Sequence, residues 1–406
     1  MSRAFLVVMD SAGIGGAPDA AQYFNDGRPD TGANTIGHIA MARGLDMPNL
    51  DRLGLGAAIR LASGLEAPGL GQPPQGQNPQ GQNPQGLWGA AVEVSRGKDT
   101  PSGHWELAGV PVPWDWHVFP DSRPAFPPDL SRRIAALAGT GGILGDCHAS
   151  GTAIIETLGA EHLRTGWPIC HTSVDSVLQI AAHEEAFGLD RLLQLCRDVA
   201  EIVHPMRVGR VIARPFVGRP GDFRRTPNRR DYALQVPGRT ILDLAQAAGR
   251  TTHAIGKIGD IFSHRGIDHL HKGKSDADLA GHLIRLTRDA ADGSLTFANF
   301  VEFDSLYGHR RDVEGYGRAL EWFDTVVGRM LPLLRPGDLA IFTADHGNDP
   351  TWHGTDHTRE TVPVLGWGLG ERAIGMVSFA DVGASICDHL GLDAPAHGTS
   401  FLGARR

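Results

Sequence analysis

The 406-residue chain has no long apolar run, few cysteines and no excess of positive charge, and each shortage excludes something. The N-terminal apolar run Ala4–Met9 is followed at once by Asp10. It is too short for a signal sequence with a cleavage site, and far too short for a membrane span. No later run reaches about 18 apolar residues, the length a spanning helix requires. The four cysteines, Cys147, Cys170, Cys196 and Cys387, match no CxxC pattern. A chain of this length buries a core without disulfides, so they are expected as free thiols in a reducing cytoplasm. Lys and Arg number 38 against 46 Asp and Glu, a net charge of −8. That argues against a sequence-independent nucleic-acid binder, which must neutralise phosphates, and leaves room for a local basic pocket. The expectation is a cytoplasmic protein with no nucleic-acid or membrane partner, monomeric or weakly oligomeric.

What is present is a loop-rich chain with 53 Gly and 26 Pro. At roughly 150 residues per domain its length fits two or three domains, or one domain with an insertion. Residues 4–9 form a continuous run of β-formers ending in Asp10, which reads as a strand buried on both faces. The same grammar returns at 297–303, ending in Asp304, and at 339–344, ending in Asp345. Helical spacing marks 276–290, 314–334 and 380–390. Strands alternating with helices imply an α/β core with a mostly parallel sheet flanked by helices. Ligands in such sheets sit at the carboxyl ends of the strands, so three aspartates are expected to converge there.

Two stretches differ from this pattern. Residues 71–86 read GQPPQGQNPQGQNPQG, a low-complexity loop without apolar residues that cannot enter a core. Residues 119–232 hold Arg-rich and Pro-rich patches such as Arg224-Arg225-Thr226-Pro227-Asn228-Arg229-Arg230. They read as a smaller α+β cap domain inserted into a core of 1–118 and 233–406.

Six residues have the character of ligands for hard or borderline metals. They are Asp10, Asp304 with His309, Asp345 with His346, and His357. Mixed carboxylates and imidazoles suit Mn²⁺ or Zn²⁺, and two such ions about 4 Å apart can support in-line displacement at phosphorus. Taken singly, each aspartate reads as a helix or turn cap; the convergence favours the metal reading. His353 lies at helical spacing from His357 and competes with it on spacing alone. His104, His171, His183, His204, His253, His264, His269 and His271 have no spacing that requires a metal. In Gly97-Lys-Asp-Thr100-Pro-Ser102-Gly-His-Trp-Glu106, a hydroxyl at a loop-to-helix junction near a metal pair is a candidate nucleophile. Composition alone leaves Thr100 and Ser102 equally readable as N-caps.

With these motifs in hand, nearly the whole chain resembles the phosphopentomutases of the alkaline phosphatase superfamily. The resemblance rests on Phe5-Leu-Val-Val-Met-Asp-Ser-Ala-Gly-Ile-Gly15, Asn34-Thr-Ile-Gly-His38 and Gly97-Lys-Asp-Thr100. Further motifs are Thr172-Ser-Val-Asp-Ser-Val-Leu-Gln179, Val208-Gly-Arg-Val-Ile-Ala-Arg-Pro215 and Arg225-Thr-Pro-Asn-Arg229. The last are Phe303-Asp-Ser-Leu-Tyr-Gly-His-Arg-Arg-Asp312, Thr343-Ala-Asp-His-Gly-Asn-Asp349 and Gly354-Thr-Asp-His-Thr-Arg-Glu360. The metal motifs specify only the superfamily; those of the middle region specify the mutase.

The resemblance implies an alkaline-phosphatase-like core with an inserted cap. It implies interconversion of α-D-ribose 1-phosphate and D-ribose 5-phosphate, and of the deoxyribose equivalents, an isomerase activity by intramolecular phosphoryl transfer. Thr100 falls on the phosphoryl-carrying threonine. Asp10, Asp345 and His346 fall on the ligands of the neighbouring metal, and Asp304, His309 and His357 on those of the second. Mn²⁺ is the usual activator, and a sugar bisphosphate, glucose 1,6-bisphosphate or ribose 1,5-bisphosphate, is the primer. Pentose-phosphate contacts fall on Ser173, Asp175, Arg210, Ile212 and Arg225 in the cap and on Lys257 in the core. Two positions depart from the family pattern. Pro101 removes a backbone donor and biases Thr100 toward extended geometry. Gly259, near Lys257, introduces flexibility. A superfamily phosphatase or sulfatase, a cofactor-independent phosphoglycerate mutase and a phosphosugar-binding protein are the competing readings.

Overall fold

The computed structural model describes residues 2–71, 84–173 and 176–403. Most of the low-complexity stretch, and Asp175, therefore lie outside the described residues. The chain forms two compact units, Met1–Pro113 with Val236–Arg406, and Trp114–Gln235.

In chain order the longer strands are β1 (Ala4–Met9), β2 (Leu87–Val92), β3 (Leu144–His148), β4 (Ile169–Thr172), β5 (Val177–His183) and β6 (Arg210–Val217). They continue with β7 (Arg230–Ala233), β8 (Thr252–Ile255), β9 (His269–His271), β10 (Leu295–Phe300), β11 (Leu339–Thr343), β12 (Val362–Trp367) and β13 (Arg372–Ser378). The first unit is built on an eight-stranded sheet in the order β9-β8-β10-β1-β11-β12-β2-β13. All its pairs are parallel except β11 with β12 and β12 with β2. Every residue of β1, β10 and β11 is buried, which is why these strands read as uninterrupted apolar runs rather than as alternating patterns.

Register positions the site. In the parallel ladders Met9 pairs with Phe300, and Val8 with Thr343, so β1, β10 and β11 end side by side. Asp10 follows β1 directly, and Asp345 follows β11 after Ala344. The run expected to reach residue 303 stops at Phe300, because the Val301 and Glu302 amides donate to the Asp276 carboxylate, each at 3.1 Å. Asp304 therefore sits not on a strand end but in a π-helical turn, Phe303–Gly308. The helices predicted at 276–290, 314–334 and 380–390 form as Asp276–Asp289, Val313–Met330 and Phe379–Leu390. Pro332 follows the second of these in a separate 3₁₀ turn, Leu331–Leu333. Helix Val313–Met330 packs Phe323 against Phe300, Phe303 and Phe342, so the core reaches the turn that carries Asp304. Near the opposite end of β1, fully buried Arg3 pairs with Asp338 at 2.5 Å and donates to the carbonyls of Leu286 and Ala290.

The second unit is a six-stranded mixed sheet, β7-β6-β5-β4-β3, with the two-residue strand Arg224–Arg225 on β6. Helices Pro128–Ala138 and Leu189–Val203 supply Leu130, Ile134, Leu192 and Val199 to an apolar cluster with Leu178, Ile180 and Val211. Helix Gly151–Thr165 supplies Ile154 and Ile155 to a smaller one with Ile169, Ala181 and Phe216. The four cysteines carry no disulfide. Among the described residues no helix is long and apolar enough to cross a membrane.

Candidate active site

All six predicted metal ligands and Thr100 lie in the first unit, beyond the ends of β1, β10 and β11. Asp10 is buried; its Oδ2 accepts from Asn299 Nδ2 at 3.0 Å, and its Oδ1 has no hydrogen-bond partner. Asp345 Oδ1 accepts from the Ser11 amide at 3.0 Å, and its Oδ2 lies 3.0 Å from Nδ1 of the buried His104. His346 Nε2 stands between them, 3.5 Å from Asp10 Oδ1 and 3.4 Å from Asp345 Oδ2. Asp304 Oδ2 is 3.2 Å from His309 Nε2, and its Oδ1 is 3.4 Å from His357 Nε2. The imidazoles of His346 and His357 lie 4.2 Å apart, and those of His357 and His309 4.8 Å apart.

Two groups have ligand atoms all within 4.8 Å of one another: Asp304, His309 and His357; and Asp10, Asp304 and His346. Asp304 belongs to both, whereas Asp345, expected with Asp10 and His346, belongs to neither. Asp10 Oδ1 and His357 Nε2, both buried without a hydrogen-bond partner, fit cations here, because buried polar atoms otherwise find partners. His353, the alternative to His357 on spacing, instead meets the Arg28 guanidinium.

The electrostatics are those of negative charge forced together. Burial and the carboxylates of Asp345 and Asp304 push Asp10 up to about 8. Burial would raise Asp304 as well, but His357 and His309 hold it well below the usual carboxylate range. Burial opposes protonation of His346, yet Asp345, Asp10 and Asp304 raise it to about 9. His309 is likewise raised to about 9, by Asp304 against the effect of burial.

Thr100 opens helix Thr100–Leu107, and its Oγ1 is 3.3 Å from His346 Nε2. The N-cap is neither Thr100 nor Ser102 but Asp99, which accepts from the Ser102 amide and hydroxyl, both at 3.1 Å. Pro101 does not hold Thr100 extended. It occupies the first turn, where its missing N–H has no intrahelical acceptor to lose. The helix comes this close because residue 103 is glycine: a Cβ there would lie 2.0 Å from the Asp345 carbonyl oxygen. Gly259 lies within helix Ile258–Ile261, where a Cβ would lie 2.8 Å from Leu270 Cδ1, at the tip of a side chain that can turn aside.

The sequence reading gave no role to Arg311 or Asn348, which the structure places around the second group. The Arg311 guanidinium donates to the carbonyls of Gly308, Gly354, His353 and Asp356, and to Asn348 Oδ1. Asn348 Nδ2 in turn donates to Asp304 Oδ1 at 2.7 Å. His309 Nδ1 lies 2.7 Å from the Thr355 carbonyl, inside the loop that Arg311 holds. The only signal in the sequence is that Arg311 and Asn348 each stand two residues beyond a histidine of the ligand set.

The predicted sugar-phosphate residues are distributed as follows. Lys257 is exposed just before helix Ile258–Ile261 in the first unit. In the second unit Ser173 follows β4, Arg210 opens β6, Ile212 is buried within it, and Arg225 is exposed. Arg225 lines a cavity of about 400 Å³ with Arg214, Arg229, Pro215, Thr226 and Pro227. Burial and the guanidiniums of Arg229 and Arg225 lower Arg214 to about 10, the signature of cations crowded without enough counter-charge.

Comparison with known proteins identifies the family. The profile of the metalloenzyme superfamily matches residues 2–394. A phosphopentomutase from Chelativorans sp. (strain BNC1) is 53% identical, covering 100% of this chain and 99% of its own. One from Methylobacterium radiotolerans is 54% identical, over 99% of this chain and 100% of its own. The chain belongs to the phosphopentomutase family. A solved Leishmania mexicana phosphoglycerate mutase aligns over 97% of this chain and 96% of its own, at 13% identity and a TM-score of 0.45. Family membership accounts for why the ligand motifs and the arginine-rich middle region occur in one chain.

Proposed function

We propose that this phosphopentomutase-family isomerase interconverts α-D-ribose 1-phosphate and D-ribose 5-phosphate, and the deoxyribose equivalents, with Thr100 carrying the phosphoryl group. Asp10, Asp345 and His346 hold one divalent ion, and Asp304, His309 and His357 hold the second, Mn²⁺ being the expected metal. Bound there, the ions supply positive charge for the transferring phosphoryl group and for the threonine oxygen. The observation that carries this reading is Thr100 Oγ1 at 3.3 Å from His346, beside the buried Asp10 Oδ1, which has no hydrogen-bond partner.

In the forward direction Thr100 Oγ1 starts phosphorylated, primed by a sugar bisphosphate. The O5 hydroxyl of ribose 1-phosphate attacks that phosphorus, the Thr100 P–O bond breaks, and ribose 1,5-bisphosphate forms. After the sugar turns round, Thr100 attacks the C1 phosphate. Ribose 5-phosphate leaves, and the phosphothreonine is restored. The helix that begins at Thr100 fixes the direction of attack, and Asp99 and Gly103 fix the helix.

Residues 119–232, most of the second unit, are proposed as the cap that grips the non-reacting phosphate and the sugar. Arg210 and Arg225 bind phosphate as planar donors, Asp175 and Ser173 meet ribose hydroxyls, Ile212 contacts the sugar phosphate, and Lys257 adds a point charge. The crowding of Arg214, Arg225 and Arg229 around one cavity supports an anion there. The unpaired thiols support a reducing, cytoplasmic setting.

The test is an assay with Mn²⁺, a trace of glucose 1,6-bisphosphate and ribose 1-phosphate, following ribose 5-phosphate and free phosphate together. Conversion without phosphate release, lost by at least about a thousandfold in Thr100→Ala, is expected. Stoichiometric phosphate release would make the protein a phosphatase instead.

A further inference from the structure

Away from the Asp–His centre, His253, His269 and His271, whose spacing requires no metal, come together with His282 at the edge of the core sheet. In the parallel pairing of β8 and β9, His253 stands opposite His269, and Ile255 opposite His271. Because side chains alternate, His253, His269 and His271 share one face. His253 Nδ1 is 3.2 Å from His271 Nε2. The His269 ring stacks on His253 at 5.0 Å between centroids, and His282 of helix Asp276–Asp289 lies 5.4 Å from His271. His253 pairs along β10 with Thr296, near that strand's amino end, whereas the catalytic aspartates lie past the carboxyl ends.

We propose that His253 and His271, with His269 beside them, bind a borderline divalent cation of the Zn²⁺ class at this edge. Two imidazole nitrogens on one tetrahedral Zn²⁺, each at 2.0–2.1 Å, stand about 3.3 Å apart, close to the observed separation. Burial, then His271 and His269, lower His253 to about 4, and burial with His282 and Arg285 nearby lowers His271. A purely imidazole donor set favours Zn²⁺, Ni²⁺ or Cu²⁺ over Mn²⁺ and Mg²⁺, so it differs in preference from the carboxylate-rich centre. Bound there, the ion would tie β9, a three-residue edge strand paired only with β8, to the rest of the sheet.

The experiment uses the Mn²⁺-loaded, full-length protein with added Zn²⁺. A crystal measured at the zinc absorption edge should show anomalous density between His253 and His271; a clean map there overturns the proposal. In equilibrium dialysis, wild type should bind one more equivalent of Zn²⁺ than His271→Gln, whatever amount enters the catalytic centre of both. Equal stoichiometry would mean that the two rings share only an N–H···N hydrogen bond. Zn²⁺ should also raise the melting temperature of wild type more than that of His271→Gln, with isomerase activity in Mn²⁺ the same in both.

Discussion

Arg311 is a donor-only side chain, and that fixes the orientation of its neighbour. Asn348 must present Oδ1 to the guanidinium, so its amide nitrogen faces Asp304 Oδ1. Without the guanidinium the amide is free to turn its oxygen toward the carboxylate, where the two repel. Lysine keeps the charge but cannot reach four carbonyls and an amide from one plane. Arg311→Lys is therefore expected to raise the Mn²⁺ concentration for half-maximal activity by about 10–100-fold. The KM for ribose 1-phosphate at saturating Mn²⁺ should change little. Steady-state kinetics over a metal titration read both; an unchanged metal dependence would remove Arg311 from this role. Asp10 and Asp345 were legible because each stands at the end of an apolar run; Thr100 was set apart from Ser102 only by the family resemblance. Arg311 was not legible, since an arginine beside a histidine in a polar loop reads the same whether it holds four loop carbonyls or faces water.

At the scale of elements, the sheet was legible and the ends of its strands less so. Full burial makes β1, β10 and β11 conspicuous. Where β10 stops depends on Asp276, about 25 residues earlier in the chain, whose carboxylate takes the next two amides. No local pattern reports such a bond, so Asp304 was expected on a strand and lies in a helical turn. The approach of helix Thr100–Leu107 to the Asp345 backbone is another tertiary fact, written in the sequence only as a glycine. Gly103→Ala would place a methyl carbon 2.0 Å from the Asp345 carbonyl oxygen. It is expected to cost about 1–3 kcal/mol of stability through overpacking, and to lower kcat further by moving Thr100 from His346. Chemical denaturation together with kcat measured well below the melting temperature separates the two. Wild-type turnover in a folded Gly103→Ala protein would show that this contact does not set the position of Thr100.

For the molecule as a whole, charge at the centre couples folding, metal and pH. Asp10 is raised from 3.8 to about 8, and His346 and His309 from 6.5 to about 9. In each case the folded protein binds the proton more tightly than the unfolded chain, so the stabilisation is complete below the unfolded value and is lost as pH rises through the folded one. Asp304, lowered by its histidines, acts in the opposite sense and only in acid. Metal-stripped protein should therefore show a melting temperature that falls as pH rises from about 6.5 to about 9. Mn²⁺ takes the place of those protons, so it should restore most stability at the alkaline end. A metal-free melting temperature that is flat or rising over this interval would contradict the charge balance described for the site.

The central claim is that Thr100 stores the phosphoryl group between the two halves of the reaction. Its most direct test is peptide mapping by mass spectrometry after the Mn²⁺-loaded protein has been incubated with glucose 1,6-bisphosphate and quenched. The account predicts a single phosphoryl group on the peptide containing Thr100, localised to that residue and removed by chase with excess ribose 1-phosphate. Phosphate on Ser102, on a histidine of the centre, or on no residue while isomerisation proceeds would contradict it.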